Sequence, residues 1–170
     1  MKSHTSAIGR TMYFLFWLLI FAILVFFFDV FLRHRDNPNQ TVETTFSPQT
    51  KTVVLQRNRQ GHYRVTGGIN GVAVNMLVDT GATSVALPQN LAKQLGLVVG
   101  PPIISSTANG DTVGYQTYLK NVQVGEIFVH NVRAVVLPNM QGDVLLGMSF
   151  LRELSFTQQG KFLRLQQGTE

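Results

Sequence analysis

The sequence predicts a mainly β domain with one or two short helices, preceded by a single long apolar helix. Residues 12–28 form an unbroken run of 17 apolar residues. From residue 51 onward, apolar and polar side chains alternate in short segments separated by Gly and Asn. This alternation is typical of half-buried strands, and many short strands in about 120 residues indicate a compact β-barrel or sandwich. A mainly β domain is therefore the fold class we expect, and the pattern alone leaves a barrel and a sandwich both open.

The apolar run continues, after one acid, to residue 32, and a helix of about 20 such residues crosses the hydrocarbon core of a bilayer. Tyr13 and Trp17 lie near one end and Arg33 and Arg35 near the other, as at membrane interfaces. A cleaved signal peptide is the alternative, but its apolar region is normally shorter and is followed by small residues. We therefore expect residues 1–11 to be an N-terminal flank and residues 12–32 a transmembrane anchor in the lipid bilayer.

The composition limits the remaining function classes. The chain has no Cys, which excludes a disulfide scaffold, a thiolate zinc site and a Cys nucleophile. Its formal net charge is +5, but residues 1–35 carry four Lys or Arg and one acid. The charge therefore belongs largely to the flanks of the apolar run, and no nucleic acid partner is expected. Two basic residues lie on each side of that run, so the positive-inside rule leaves its orientation open.

Residues 33–50 are predicted to be a flexible tether, because they are rich in short polar residues and contain two prolines. The domain itself is expected over residues 51–170. Asn70-Gly71 is a strong hairpin signal between two of its strands. The predicted strands are residues 52–56, 63–66, 72–78, 103–106, 113–119, 122–124, 132–137 and 161–165, and the predicted helices are residues 88–95 and 148–153.

The segment most suggestive of chemistry is Leu77-Val78-Asp79-Thr80-Gly81-Ala82-Thr83, in which an apolar strand leads into an acid, a hydroxyl and a glycine. The glycine lets the backbone turn sharply after the carboxylate. Asp-Thr-Gly alone is a weak motif, and an ordinary turn is the alternative, since all three residues favour turns. The context strengthens it: a polar tip, Thr107-Ala108-Asn109-Gly110, follows between two strands, and Leu145-Leu146-Gly147 comes later.

This order of acid loop, polar hairpin and apolar-apolar-Gly resembles the aspartic proteases. The single Asp-Thr-Gly resembles their retroviral, single-domain branch. An N-terminal span joined to Asp79–Thr83, Thr107–Gly110 and Leu145–Leu151 is similar to the bacterial membrane-anchored retropepsin-like proteins. The resemblance covers roughly residues 50–167 and the anchor. It implies a retropepsin-like closed β-barrel of one lobe.

The resemblance also implies a mechanism. In this family two Asp residues face each other and activate a water molecule. Two carboxylates so close cannot both ionise cheaply, so one acts as acid and the other as base. The chain offers one suitable acid, Asp79, and a working site would need a second copy on a two-fold axis. The expected activity is therefore that of a homodimeric aspartic endopeptidase acting on polypeptides.

Roles follow for the residues that match the family pattern. Asp79 is expected to be the catalytic carboxylate, and Thr80 to hold the two acid loops together across the dimer. Ala82 stands where two-lobed members usually carry a hydroxyl, which leaves the carboxylate one hydrogen bond fewer. Support of the acid loop is expected from Thr80, Gly81, Ala82, Thr83 and Gly147, and the flap over the substrate from Thr107, Ala108, Asn109 and Gly110.

Other features favour ordinary explanations. The four His residues match no ligand spacing, so we expect no metal site, and the resemblance implies no cofactor. Asp143 is interpreted as a turn or loop-bonding residue rather than a third catalyst. Two further functions stay open: a non-catalytic, membrane-anchored β-domain of the same fold that binds peptides or partners, and a membrane protein that only assembles. By analogy, we expect a single-pass inner-membrane protein with the domain on the periplasmic side.

Overall fold

The computed structural model describes residues 5–107 and 110–168, and the chain divides into two units, Met1–Asp36 and Asn37–Glu170. The first unit is helix α1 (Thr5–Asp36). Within it, Gly9–Leu32 is long and apolar enough to cross a membrane. Its large apolar side chains, such as Phe21 and Phe26, are exposed. A helix that is apolar all round and buries none of that surface is typical of a membrane span or a signal sequence, and not of a core helix.

The described part of the second unit consists mainly of strands, which confirms the predicted fold class. In chain order the strands are β1 (Thr44–Ser47), β2 (Thr50–Gln56), β3 (Arg64–Ile69), β4 (Val72–Val78), β5 (Val85–Pro88), β6 (Pro102–Thr107), β7 (Gly110–Val124), β8 (Ile127–Leu137), β9 (Val144–Leu146), β10 (Ser155–Gln159) and β11 (Phe162–Gly168). Helix α2 (Gln89–Gln94) follows β5, and helix α3 (Met148–Leu151) follows β9.

The strands form two sheets. The larger has the order β3-β4-β9-β5-β8-β7-β6, and β3 also pairs with β7, through Gly68 with Gln123 and Ile69 with Val122. The pairings therefore close six strands into a ring, and β6 extends from it as a hairpin with β7. The smaller sheet has the order β1-β2-β11-β10. Closure leaves the ring without an unpaired edge, which is how a small β domain avoids exposing backbone hydrogen-bonding groups.

One hydrophobic core joins the ring and the smaller sheet. Strands β2 and β11 alternate, so that Val53, Leu55, Leu163 and Leu165 point inward while their neighbours are exposed or half-buried. These side chains pack with the ring residues and with α3. The largest side chains that are fully buried are Phe150, Leu55, Ile69, Met76, Leu87, Leu119, Ile127, Leu146, Leu151 and Leu165.

Part of segment 33–50 is packed onto the domain, which differs from the flexible chain that its composition predicts. Asn39 is only 5% exposed. Its Nδ2 donates to Gln56 O at 2.9 Å and to Arg64 O, and its Oδ1 accepts from Gln56 N at 2.7 Å. Composition could not predict this packing, because the hydrogen bonds join Asn39 to strands that follow it in the chain.

The turn predicted at Asn70-Gly71 is present, and both residues have the positive φ (50° and 84°) that a tight hairpin turn requires. Strand β4 has the predicted bounds. The two strands predicted at residues 113–119 and 122–124 form one strand, β7, and helix α3 ends at Leu151, earlier than predicted. Four strands were missed: β1, β5, β9 and β10. Strand β5 is buried throughout and β10 is exposed throughout, so neither shows the alternation on which strand prediction depends.

Candidate active site

The candidate catalytic acid, Asp79, lies directly after β4. Strand β4 runs parallel to β9, with Val78 opposite Leu146, and the Asp79 N–H donates to Leu146 O at 3.2 Å. Beyond this point the chain turns: the Ala82 N–H donates to Asp79 O at 3.3 Å, and the Gly81 N–H donates to the Asp79 Oδ1 at 2.9 Å. A carboxylate that accepts the N–H two residues ahead is the usual way in which Asp stabilises a turn. The half-buried carboxylate is therefore fixed by its own loop.

Gly147 lies beneath this loop, at the end of β9. The next residue, Met148, donates its N–H to Ala82 O at 2.7 Å, which joins the loop to the start of α3. A Cβ on Gly147 would lie 2.3 Å from Ser84 O and 2.7 Å from Ala82 O. Its φ of −86° is one that any residue adopts, so the close approach of the backbones, and not the backbone conformation, requires glycine here.

Ser149 is a second support that sequence reasoning did not identify. It is 4% exposed, its Oγ accepts from the Val85 N–H at 2.9 Å, and it donates to Arg133 O at 2.7 Å. One hydroxyl therefore joins the strand that follows the acid loop to strand β8. The sequence shows this residue only as a serine after Gly147-Met148, and its partners are 64 and 16 residues away.

The hairpin of β6 and β7 carries the predicted flap. Six residue pairs, from Pro102 with Tyr115 to Thr107 with Gly110, hold the two strands in antiparallel register. Gly110 has φ of 99°, as expected at the end of a tight connection. Ala108 and Asn109, the predicted tip, lie outside the described residues, and of Thr107 only the backbone is described. The hairpin arm itself contributes to the same cleft as Asp79.

That cleft has a volume of about 830 Å³. It joins the acid loop, the hairpin and strand β8, and its lining divides into polar and apolar groups. The polar or loop residues are Asp79, Gly81, Ala82, Thr83, Ser84, Ser105, Gln116 and Arg133, and the apolar ones are Ala86, Ile103, Ile104, Val135, Leu137 and Leu145. The apolar set and Arg133 were not identified from the sequence, because they come from four separate strands.

The predicted site residues are only partly brought together. Asp79, Gly81, Ala82 and Thr83 line the cleft, and Gly147 is buried below it, whereas Thr80 is exposed on the loop. Among the described residues that line the cleft, Asp79 is the only carboxylate.

Asp143 lies at the other end of the short strand β9, before Val144, and its Oδ1 accepts from Arg64 Nη2 at 2.7 Å. This ion pair agrees with the interpretation of Asp143 as a structural acid.

Comparison with known proteins identifies relatives of this architecture. The family model described as "gag-polyprotein putative aspartyl protease" matches residues 65–153, more than half of the chain. An uncharacterized protein of Sinorhizobium sp is 34% identical over 125 residues, which are 71% of this chain and 54% of that protein. An uncharacterized protein of Rickettsia prowazekii is 28% identical over 143 residues, 79% of this chain and 62% of that protein. The matches thus span little more than half the length of these relatives.

Among solved structures, the crystal structure of a retropepsin-like aspartic protease from Rickettsia conorii superposes with a TM-score of 0.57. It is 26% identical in sequence, and the superposition covers 75% of this chain and 96% of that one. The family match includes the Asp79 loop, the hairpin and Gly147, the three elements that build the cleft. The chain belongs to the retropepsin-like aspartic protease family.

Proposed function

We propose that this protein is a membrane-anchored aspartic endopeptidase whose active site is completed when two copies pair. The observation that carries the proposal is the placement of Asp79. Its carboxylate is fixed by the Gly81 N–H at 2.9 Å and lies in a cleft of about 830 Å³ with an apolar wall. Such a cleft is large enough for several residues of an extended peptide. Strand β6, the edge of the larger sheet, offers hydrogen bonds to a peptide bound as an added strand.

Hydrolysis of a peptide bond at this site needs an acid and a base. The attacking water gives its proton to an ionised carboxylate as its oxygen bonds to the carbonyl carbon. A protonated carboxyl donates to the carbonyl oxygen, and the leaving amine then takes a proton as the C–N bond breaks. Two Asp79 carboxyls, one from each copy, supply both forms, because close carboxylates share one proton. These steps require no side chain other than the two Asp79 carboxyls.

Two observations support pairing through the acid loop. A second carboxylate is missing from the described lining of the cleft, and Thr80, which follows Asp79, is exposed. A hydroxyl in that position is free to hydrogen-bond to the equivalent loop of another copy. Thr80→Val retains the shape of the side chain but removes the hydroxyl, so we expect it to weaken dimerisation, while Thr80→Ser retains dimerisation. Sedimentation of the detergent-solubilised chain measures the difference.

Proteolysis by the full chain in detergent tests the catalytic assignment. The probe is a mixture of internally quenched octapeptides with varied apolar residues at their centre. Asp79→Asn keeps the shape of the side chain and removes its acid–base function, which is worth about 10²- to 10⁴-fold in rate. Asp143→Asn is the matched control, an equally conservative change at an acid outside the cleft. Cleavage that persists in the Asp79→Asn chain would refute the assignment. If the wild type binds peptides without cleaving them, the alternative function, a non-catalytic peptide-binding domain of the same fold, would be favoured.

Mixing tests the shared site. Wild type and Asp79→Asn are mixed in equal amounts, and their copies exchange freely between dimers. If each active site needs one Asp79 from each copy, about one quarter of the dimers are then fully active. A site formed within one chain would retain about half of the activity, because each wild-type copy would work alone. The same preparation, with Asp143→Asn in place of Asp79→Asn, controls for dilution.

Helix α1 supports the proposed anchor. The span Gly9–Leu32 has the length that a bilayer requires, and we place the domain that follows it on the periplasmic side of an inner membrane. Intact mass measurement of the membrane-bound protein distinguishes an anchor from a cleaved signal sequence, since cleavage would remove residues 12–32. Digestion of the domain in spheroplasts, but not in inverted vesicles, is the expected result for this orientation.

A further inference from the structure

Strand β8 divides its side chains between the core and the cleft. Ala134 and Val136 are buried in the main core, whereas Arg133, Val135 and Leu137 line the cleft. Side chains two apart in a strand share one face, so these three residues follow one another along the wall of the cleft. The wall is thus apolar at one end and cationic at the other.

The apolar end is a cluster separate from the main core. Ala86, Val135 and Leu137 form it, and three partly buried side chains, Ile103, Met140 and Leu145, pack against it. The hairpin packs closely against it at Gly114, where a Cβ would lie 2.5 Å from Val135 Cγ1 and 2.9 Å from Leu137 Cδ2. Because Ala86, Val135 and Leu137 line the same cleft as Asp79, the cluster offers an apolar surface to a side chain of a bound peptide.

The cationic end is Arg133. Its backbone is held by the Ser149 Oγ, at 2.7 Å from its carbonyl oxygen, so the position of the residue on the wall is fixed. Its side chain is exposed and makes no ion pair with any described residue. Tyr118, also exposed, lies opposite it on β7. Arg133 lines a cleft in which Asp79 is the only carboxylate among the described residues. The planar donors of its guanidinium can therefore bind a carboxylate that comes from outside the protein.

We propose that Arg133 selects substrates by binding a carboxylate of the peptide, near an apolar residue of the peptide that contacts the cluster of Ala86, Val135 and Leu137. This inference rests on the proposed endopeptidase function. Arg133 and Val135 are two residues apart, or about 7 Å along the strand. An extended peptide repeats its side-chain direction over the same distance, so the carboxylate lies two residues from the apolar side chain. An acidic side chain and the carboxylate at a peptide's C-terminus share this chemistry, and the test separates them.

The test uses the full chain in detergent and a set of synthetic octapeptides. Each peptide is acetylated and amidated, has a Leu-Phe pair at its centre and Ser elsewhere, and carries Glu, Gln or Lys at one position at a time. A parallel set has a free C-terminus in place of the amide. The proteins are the wild type, Arg133→Gln and Arg164→Gln. Arg164 is the matched control, since it is an exposed arginine on β11, outside the lining of the cleft.

We expect the wild type to cleave the Glu peptide about five- to tenfold faster, in kcat/KM, than the Gln peptide at the position two residues from the apolar centre. Arg133→Gln reduces this ratio to about one, mainly through KM, and Arg164→Gln retains it. Raising the salt concentration from 0.1 M to 1 M weakens the preference, because the ion pair is partly exposed. A preference confined to peptides with a free C-terminus would assign the chain end as the ligand.

A binding measurement keeps the two proposals distinguishable. Anisotropy of the same peptides, fluorescently labelled, is measured on Asp79→Asn and on Asp79→Asn combined with Arg133→Gln. If the wild type cleaves nothing but Asp79→Asn prefers Glu over Gln and loses the preference with Arg133→Gln, the endopeptidase proposal fails and the role of Arg133 is retained. If Arg133→Gln discriminates between Glu and Gln as well as the wild type and the control do, Arg133 has no role in selection.

Discussion

Replacing Gly147 by alanine adds a methyl group where the backbone leaves no room for one. The new Cβ would lie 2.3 Å from Ser84 O, 2.7 Å from Ala82 O and 2.7 Å from the carbonyl carbon of Ser84. Nonbonded heavy atoms rest at roughly 3.5 Å. The acid loop and the start of α3 therefore have to separate by roughly 1 Å, which displaces the backbone that holds Asp79.

The cost follows from two terms. Overpacking of a closely packed site costs about 1–3 kcal/mol in the free energy of unfolding. The separation also breaks the hydrogen bond from the Met148 N–H to Ala82 O, now 2.7 Å long, which is worth about 1 kcal/mol. We expect a total of about 3 kcal/mol, a large part of the 5–15 kcal/mol that stabilises an ordinary domain. In a domain of this size, the midpoint of thermal unfolding falls by about 10 °C.

Thermal unfolding of the full chain in detergent, followed by circular dichroism in the near ultraviolet, measures this shift. The matched control is Gly68→Ala on β3, where the nearest atom to the new Cβ is Gln123 Oε1 at 3.4 Å, an ordinary contact with a flexible side chain. We expect the control to change stability by less than about 0.5 kcal/mol. Peptide cleavage, assayed at a temperature where both variants are folded, shows whether the displaced loop also loses catalysis.

An unchanged midpoint for Gly147→Ala, together with unchanged cleavage, would refute the reasoning. It would mean that the loop and α3 separate without cost, and that the close approach of their backbones does not position Asp79. Equal losses for both variants would also count against it, because they would indicate a general intolerance of alanine in these segments.

Three further predictions concern polar contacts. Ser149→Ala leaves the Val85 N–H and the partly buried Arg133 carbonyl without their partner and should cost about 2–4 kcal/mol in urea unfolding, whereas the exposed Ser155→Ala should stay within about 0.5 kcal/mol; similar values for both would contradict the bridging role. Asn39→Asp removes two donated hydrogen bonds and should cost at least about 2 kcal/mol by the same measurement, so a stable variant would show that segment 33–50 is not held through this amide. Asp143→Asn weakens a partly exposed ion pair and should cost about 1 kcal/mol with cleavage retained, and a loss of cleavage equal to that of Asp79→Asn would make Asp143 a catalytic candidate.

The predictability of each element depended on how local its cause was. Strand β4 and the Asn70-Gly71 turn were predicted, because alternation and a two-residue turn are local properties. Strand β5 was missed because it is buried on both faces, which removes the alternation. The packing of Asn39 was missed because its partners, Gln56 and Arg64, are 17 and 25 residues away in the chain.

The candidate site shows the same division. The sequence by itself predicted the apolar span, the β class and the Asp79 loop as the candidate place of chemistry, because each is encoded in consecutive residues. The tertiary structure alone decided that Ser149 ties the strand after that loop to β8, and that the face of β8 with Arg133, Val135 and Leu137 lines the same cleft as Asp79. Such arrangements depend on which strands the closed ring makes neighbours, and pairing across a sheet leaves no mark on either strand's own sequence.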